Sequence, residues 1–350
     1  MKIALLTIWH EKNYGAELQA YATIKVLQRL GHDVKMIDIR LSDMGRPSIG
    51  GYFSLAIEAI SPCNRKFTKF WKKNIPTSKR YQSIEKLQSD PPVADIYMVG
   101  SDQVWNPDIT KKFSKLFFGD FGSKNVKRIS YASSFGTETW NHPELNKDIC
   151  KLLEAFSVLT CREKSGVTLL KSNFNIDALH VIDPTLLLGD YTSFLSSSQQ
   201  KQTLVCYPLG DDPELEEYAK GVAKKMNLTY IDNFNKKVIF KKVVWDRNSI
   251  EEWITNIATA KIVLTRSFHG TLFSIMFNKD FVVLSGKKNR DTRLIDFLSE
   301  LGLMNRYFTS TKEIEDSNVL QMHIDYSNVN RTIVEMRKTS LDILKSIVNE

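Results

Sequence analysis

The hydrophobic pattern along the chain alternates between short unbroken aliphatic runs and longer segments in which apolar residues recur every three or four positions. The unbroken runs suit strands buried on both faces of a parallel sheet, and the spaced pattern suits helices laid against it. Residues 3–8 read as a strand; Leu18, Ala22, Val26 and Leu30 then repeat every four residues until Gly31 stops the helix, and 34–38 is the next strand. Further strands are expected at 94–99, 129–132, 158–160 and 179–182, then at 204–207, 228–231 and 262–264. Helices are expected over 213–226, 249–258 and, amphipathic, 327–348. This alternation predicts an α/β protein built of two Rossmann-like halves facing across a cleft. A length of 350 residues suits two domains. Pro184 and the polar run 196–202 divide the chain into 1–190 and 191–350, with the last helix free to pack back on the first domain.

The densest stretch is 261–284, which reads strand, tight loop, helix, strand. Between its two buried elements sit Thr265, Arg266, Ser267, His269, Gly270 and Thr271. Ser267 is placed as an N-cap, leaving the amides of His269 and Gly270 in the first helical turn to face an anion such as phosphate. An ordinary crossover with an incidental histidine is the plainer alternative. Four polar side chains converging on one helix start at the carboxyl edge of a strand favour a ligand site.

Polar residues follow other strands in the same way. Asn13 and Gly15 lie in the first loop, as cleft residues or as a turn in which Gly15 supplies positive φ. That loop has a single glycine, so it is not a dinucleotide fingerprint. Ser101, Asp102, Gln103 and Trp105 follow 94–99, with Trp105 either a stacking surface for a sugar or a core residue. Ser133 follows 129–132, and Arg162 follows 158–160, where a guanidinium suits a bidentate grip on phosphate or carboxylate. The alternative for Arg162 is a salt bridge to Glu163.

Composition narrows the partners. The formal charge is +8, but the basic residues are scattered without interleaved aromatics, which argues against nucleic acid. Anionic small substrates or the inner leaflet of a membrane fit better. The 65–73 segment, with Lys, Phe and Trp interleaved, reads as a solvated helix with a stripe of core contacts, ahead of a lipid- or saccharide-facing one. Cys63, Cys150, Cys161 and Cys206 show neither close pairing nor metal-ligand spacing, so no metal site or disulfide framework is indicated and a reducing cytoplasm fits. The apolar run 3–9 is too short for a signal-peptide core or a membrane span.

The segments 13–21 (NYGAELQAY), 99–106 (VGSDQVWN), 130–136 (SYASSFG), 162–166 (REKSG), 183–185 (DPT), 265–271 (TRSFHGT) and 290–302 resemble, in order, the polysaccharide pyruvyl transferase family. One departure is Arg266, where that family commonly carries Asp. The resemblance implies a fold similar to the glycosyltransferase B type, phosphoenolpyruvate as co-substrate with no cofactor, and as acceptor a sugar of a growing cell-surface polysaccharide or its lipid-linked precursor, on which a pyruvate ketal forms. The expected location, from the cysteine usage above, is the cytoplasm, with peripheral visits to the inner face of the membrane. The resemblance also implies central roles for His269 and Arg162. The donor needs two cationic grips, for which Arg162, Arg266, Ser267, Gly270, Thr271, Arg290 and Arg293 are candidates. His269 is the candidate acid; a helix N-terminus disfavours its imidazolium by up to about 2 kcal/mol, and a bound phosphate opposes that. The competing readings are a nucleotide-sugar-dependent glycosyltransferase and a non-catalytic carbohydrate-binding scaffold.

Overall fold

In the computed structural model, which describes residues 1–40, 61–208, 210–232, 234–239, 242–286 and 291–349, the aliphatic runs become two parallel sheets in two α/β domains. The first domain runs β1 (Lys2–Leu6), α1 (Tyr14–Arg29), β2 (Asp33–Asp38), α2 (Pro62–Asn74), β3 (Thr77–Arg80), β4 (Ile96–Val99) and β5 (Lys127–Ser130), with strand order β3-β2-β1-β4-β5. A short parallel pair, β6 (Thr160–Cys161) and β7 (Leu179–His180), flanks α3 (Lys164–Phe174) and extends that edge through bridges from Ile129 to Val158 and from Ser133 to Cys161. α4 (Pro184–Leu188) follows.

The second domain runs β8 (Thr203–Tyr207), α5 (Pro213–Lys225), β9 (Thr229–Asp232), an antiparallel hairpin of β10 (Phe234–Ile239) and β11 (Lys242–Arg247), then α6 (Ile250–Thr259), β12 (Ile262–Thr265), α7 (Phe268–Met276), β13 (Asp280–Leu284), α8 (Thr292–Glu300), β14 (Tyr307–Phe308) and α9 (Tyr326–Asn349). Its parallel sheet has the order β14-β13-β12-β8-β9. In each sheet the chain reverses direction of travel once, between β1 and β4 and between β8 and β12. Such switch points leave a crevice beyond the carboxyl ends of the strands, and the segments 7–13, 100–106 and 266–271 emerge there.

The seam between the domains is aromatic. Tyr14 stacks on Trp253 with centroids 4.9 Å apart and an interplanar angle of 11°, and its hydroxyl donates to the Asn248 carbonyl at 2.8 Å. Phe67 and Tyr207 pack against the same ring. α1 is buried along most of its length because it lies between the two domains, which is why Glu17 and Gln19 are buried beside its apolar residues. α9 closes the first domain: Ser340 Oγ accepts the Ile182 amide at 3.1 Å, and Arg337 Nε donates to the Leu186 carbonyl at 2.5 Å.

Several elements differ from the sequence reading. β5 ends at Ser130, short of residue 132, because Ala132 turns to φ +54°. β6 lies at Thr160–Cys161 and β7 stops at His180, because both pair only at the edge of the sheet. The irregular stretch 41–92 contains α2, capped by Ser61 with Pro62 in its first turn, and β3; residues 41–60 lie outside the described residues. The 65–73 segment is part of α2, with Phe67, Phe70 and Trp71 in the core. The β10–β11 hairpin was not foreseen, its basic residues masking the β-branched ones.

Because Ser340 is buried and is the acceptor for the amide that leads into Asp183, Ser340→Ala should leave that N–H unsatisfied and cost about 1–3 kcal/mol. Urea unfolding of the two proteins measures this directly.

Candidate functional site

The turn after β12 is held by its own small side chains. Thr265 Oγ1 donates to the Tyr207 carbonyl at 2.8 Å and accepts the Ser267 amide at 3.0 Å. Ser267 Oγ caps α7 by accepting the Gly270 amide at 3.3 Å, and Thr271 Oγ1 donates back to the Ser267 carbonyl at 3.0 Å. A Cβ at residue 270 would lie 2.5 Å from Thr265 Oγ1, so only glycine fits. The Gly270 amide is therefore not free for a ligand, and Ser267 and Thr271 build the turn where the sequence suggested donor contacts. What the turn presents is His269.

His269 is 5% exposed, and its ring lies against the first turn of α1. A Cβ on Gly15 would be 2.1 Å from His269 Nδ1. Gly15 is thus required by close approach across the seam and not by positive φ, which it lacks. Asn13, the neighbouring cleft candidate, accepts the Gly15 and Ala16 amides and caps α1.

On the other edge of the imidazole, Nε2 is 3.5 Å from Asp183 Oδ2. Asp183 ends the strand-loop after β7 and caps α4, with Oδ1 accepting from the Thr185 amide at 2.8 Å and hydroxyl at 2.6 Å. Its Oδ2 accepts from Arg162 NH1 at 2.7 Å and from Ser101 Oγ at 3.5 Å. Burial alone would raise the Asp183 carboxyl, but His269 and Arg162 outweigh it and hold the group well below the usual carboxylate range. Arg162 therefore pairs closely with Asp183, and Glu163 is at 3.9 Å. Glu163 is committed elsewhere, Oε1 accepting from Ser134 Oγ and the Phe135 and Gly136 amides.

Arg293, from α8 of the second domain, completes the cluster. Asp102 Oδ1 is 3.7 Å from Arg162 NH2 and 3.9 Å from Arg293 NH1, near enough for charge attraction and too far for a hydrogen bond. Both guanidiniums face the Phe268 ring, 4.9 and 5.7 Å from its centroid. Burial and then the Arg162 charge lower Arg293 to about 10. Arg162 Nε and NH2, Arg293 Nε and His269 Nε2 are all buried without a hydrogen-bond partner. A cavity of about 20 Å³, room for one water, touches Arg162, Asp183, Phe268 and Arg293. A larger space of about 550 Å³ lies between the domains, lined by Asn106, Asp108, Glu138, Asn141, Asp291 and Tyr307 among others, and is spanned by Thr292 Oγ1 donating to Glu138 at 3.1 Å.

Behind the cluster, Glu17 organises the loop after β1. Its Oε1 accepts the Glu11 amide at 3.0 Å and its Oε2 accepts from Trp71 Nε1 at 2.6 Å, while the His10 ring stacks on Trp71 at 3.5 Å. Within this loop His10 and Lys12 adopt φ +65° and +52°; after β4, Asp102 adopts +71°. Burial raises Glu17 to about 8 against the opposing hydrogen bonds.

Other sequence candidates lie elsewhere. Trp105 is fully buried, stacked on Phe118 at 6.0 Å with Nε1 donating to the Phe117 carbonyl at 3.0 Å, so it is core and no sugar platform. Ser133 donates to the Gly100 carbonyl at 2.8 Å, joining the ends of β4 and β5. Gln103 packs on Gly136. Arg266 Nε is 2.6 Å from Asp212 Oδ2, and its guanidinium also donates to the Ser285 carbonyl; its charge is met within the second domain and is not offered to a ligand. Arg290 lies outside the described residues. Sequence reasoning named 183–185 only as a segment of the family resemblance and gave neither Asp183 nor Phe268 a role; an Asp before Pro at a strand's carboxyl edge was the available signal for the first.

The family model described as "Polysaccharide pyruvyl transferase" matches residues 13–288. No curated protein matches the chain in sequence. Among solved structures it is similar to UDP-N-acetylglucosamine 2-epimerase from Rickettsia bellii (TM-score 0.54, 10% identity, 98% of each chain covered). It is also similar to UDP-GlcNAc 2-epimerase from Neisseria meningitidis bound to UDP-GlcNAc (0.51, 10%, 100% of each). A spinosyn rhamnosyltransferase complexed with thymidine diphosphate is a further likeness (0.51, 10%, 99% of this chain and 100% of that one). At such identity the likeness concerns the fold, which is the glycosyltransferase B-type architecture.

Two outcomes are expected. On helix propensity alone Gly15→Ala would stabilise α1 by roughly 0.5–1 kcal/mol; the clash with His269 should reverse the sign, with a net loss of about 1–3 kcal/mol in thermal denaturation and a displaced His269 ring resonance by NMR. Glu17, raised from 4.5 to about 8, contributes stability that is full below its unfolded value and lost as pH rises through about 8. In Glu17→Gln that fall should disappear from the pH dependence of unfolding, beneath a uniform penalty for the lost acceptor.

Proposed function

The chain belongs to the polysaccharide pyruvyl transferase family, and from that premise we propose that it moves the pyruvyl group of phosphoenolpyruvate onto two hydroxyls of a saccharide, free or lipid-linked, forming a cyclic ketal and releasing phosphate. The observation that carries this reading is the set of buried, unpartnered nitrogens on Arg162 and Arg293, converging from the two domains beside His269. Buried N–H groups without acceptors are costly unless a ligand supplies oxygens. A donor with a phosphate and a carboxylate supplies them in two places, and paired guanidiniums suit both.

In this scheme the methylene carbon takes a proton from His269 as the first sugar hydroxyl attacks the adjacent carbon, and that hydroxyl's own proton passes back to the imidazole. The carbon–oxygen bond to phosphate then breaks, and the second hydroxyl closes the ring, with its proton leaving to the departing phosphate. Asp183 lies 3.5 Å from His269 Nε2, close enough to attract a positive imidazole, and fixes Arg162 at 2.7 Å, so both are placed by one carboxylate. Since Arg162 and His269 are each 5% exposed, the domains must part along the Tyr14–Trp253 seam to admit the donor.

Incubation with labelled phosphoenolpyruvate against nucleotide sugars, across a panel of saccharide acceptors, tests the donor: acceptor-dependent phosphate release from phosphoenolpyruvate supports the reading, and transfer from a nucleotide sugar alone overturns it. His269→Ala should lower turnover by about 10²–10⁴ with a smaller effect on donor affinity, whereas Arg162→Ala should weaken both.

A further inference from the structure

We propose that the outer face of α2 docks the protein on a bilayer of anionic lipid. α2 carries Arg65, Lys66, Lys69, Lys72 and Lys73 and no acidic residue. At about 100° per residue, Phe67, Phe70, Trp71 and Cys63 occupy one side, all buried. Arg65, Lys69, Lys72 and Lys73 fall within a single arc on the opposite side, all exposed, and none of their side chains makes a hydrogen bond or ion pair among the described residues. Lys66, at the edge, is instead tied to Asp246, Glu252 and the Arg247 carbonyl. The result is a stripe of four free cations about 12 Å long.

That the rings are spent on the core decides the character of the contact. α2 has no apolar wedge left to insert, and among the described residues no helix is long and apolar enough to cross a membrane. Attachment is electrostatic and peripheral, drawing on the negative potential of an anionic surface. A single-stranded nucleic acid would need exposed aromatics for its bases, and this face has none. The stripe is also well placed. On the opposite side of the same helix Trp71 holds Glu17 and the His10 ring of the loop after β1, so a docked α2 keeps that loop about one helix diameter, roughly 10 Å, from the headgroup layer, within reach of the saccharide of a lipid-linked acceptor. The docking itself does not depend on which donor the site takes.

Flotation of the full chain with phosphatidylcholine vesicles, with and without phosphatidylglycerol, tests the proposal without any assay of activity. Binding should require phosphatidylglycerol and be lost at high salt. Each cation removed should lower partitioning about fivefold. Lys69→Gln with Lys72→Gln should therefore reduce it about 25-fold, while Lys338→Gln with Lys345→Gln, the same charge change on exposed positions of α9, should leave it near wild type. Circular dichroism of both variants establishes that they are folded. Equal binding to neutral vesicles, no binding to anionic ones, or an equal loss in the α9 variant overturns the proposal, as does duplex DNA binding that exceeds vesicle binding and is lost in the α2 variant.

Discussion

The contact on which the rest depends is the convergence of Arg162 and His269 on one carboxylate oxygen, Asp183 Oδ2. Arg162 and Asp183 come from the first domain and His269 from the second, so this atom is where the two halves agree on a geometry. A buried pair of this kind gives little net stability when whole, but removing one partner strands a charge in a dry interior, at a cost of about 3–5 kcal/mol. Much of the surrounding structure serves to keep it whole. α9 pins the strand that delivers Asp183, Thr185 fixes the carboxylate's other oxygen, and the missing side chain at Gly15 lets the imidazole come close.

Around that polar centre the seam is apolar. Tyr14, Trp253, Tyr207 and Phe67 exclude water on one flank, and Phe268 separates and braces two guanidiniums on the other. A low-dielectric surround strengthens every charge interaction inside it. It also explains why the carboxyl groups diverge: Asp183 is held low by its partners, while Glu17, met by hydrogen-bond donors but no adjacent cation, is raised by burial.

Strand and helix order were legible in the sequence because parallel strands buried on both faces leave uninterrupted aliphatic runs, as at Ile262–Thr265 and Thr203–Tyr207. The motif turn and Arg162 were legible because polar residues at a strand's carboxyl edge are costly unless used. What sequence could not reveal was which of those polar groups the turn consumes for itself. Ser267 and Thr271 look identical to ligand contacts until their hydrogen bonds are seen, and Trp105 looks the same in a cleft as under a sheet. Gly15 stayed open between a cleft residue and a turn for a related reason: a glycine needed for another residue's ring, 254 positions later in the chain, carries no local signature.

His10, Lys12, Asp102 and Ala132 all occupy left-handed backbone at the carboxyl edge of the first sheet. Side chains other than glycine hold that conformation only where the surroundings over-determine it, at a cost of about 1–3 kcal/mol each. The chain thus keeps a reserve of recoverable stability in the part of the molecule nearest its chemistry. A programme of thermostabilisation that relaxed these four backbones to glycine or asparagine would find easy gains there, and would loosen the same loops that aim the cleft's side chains.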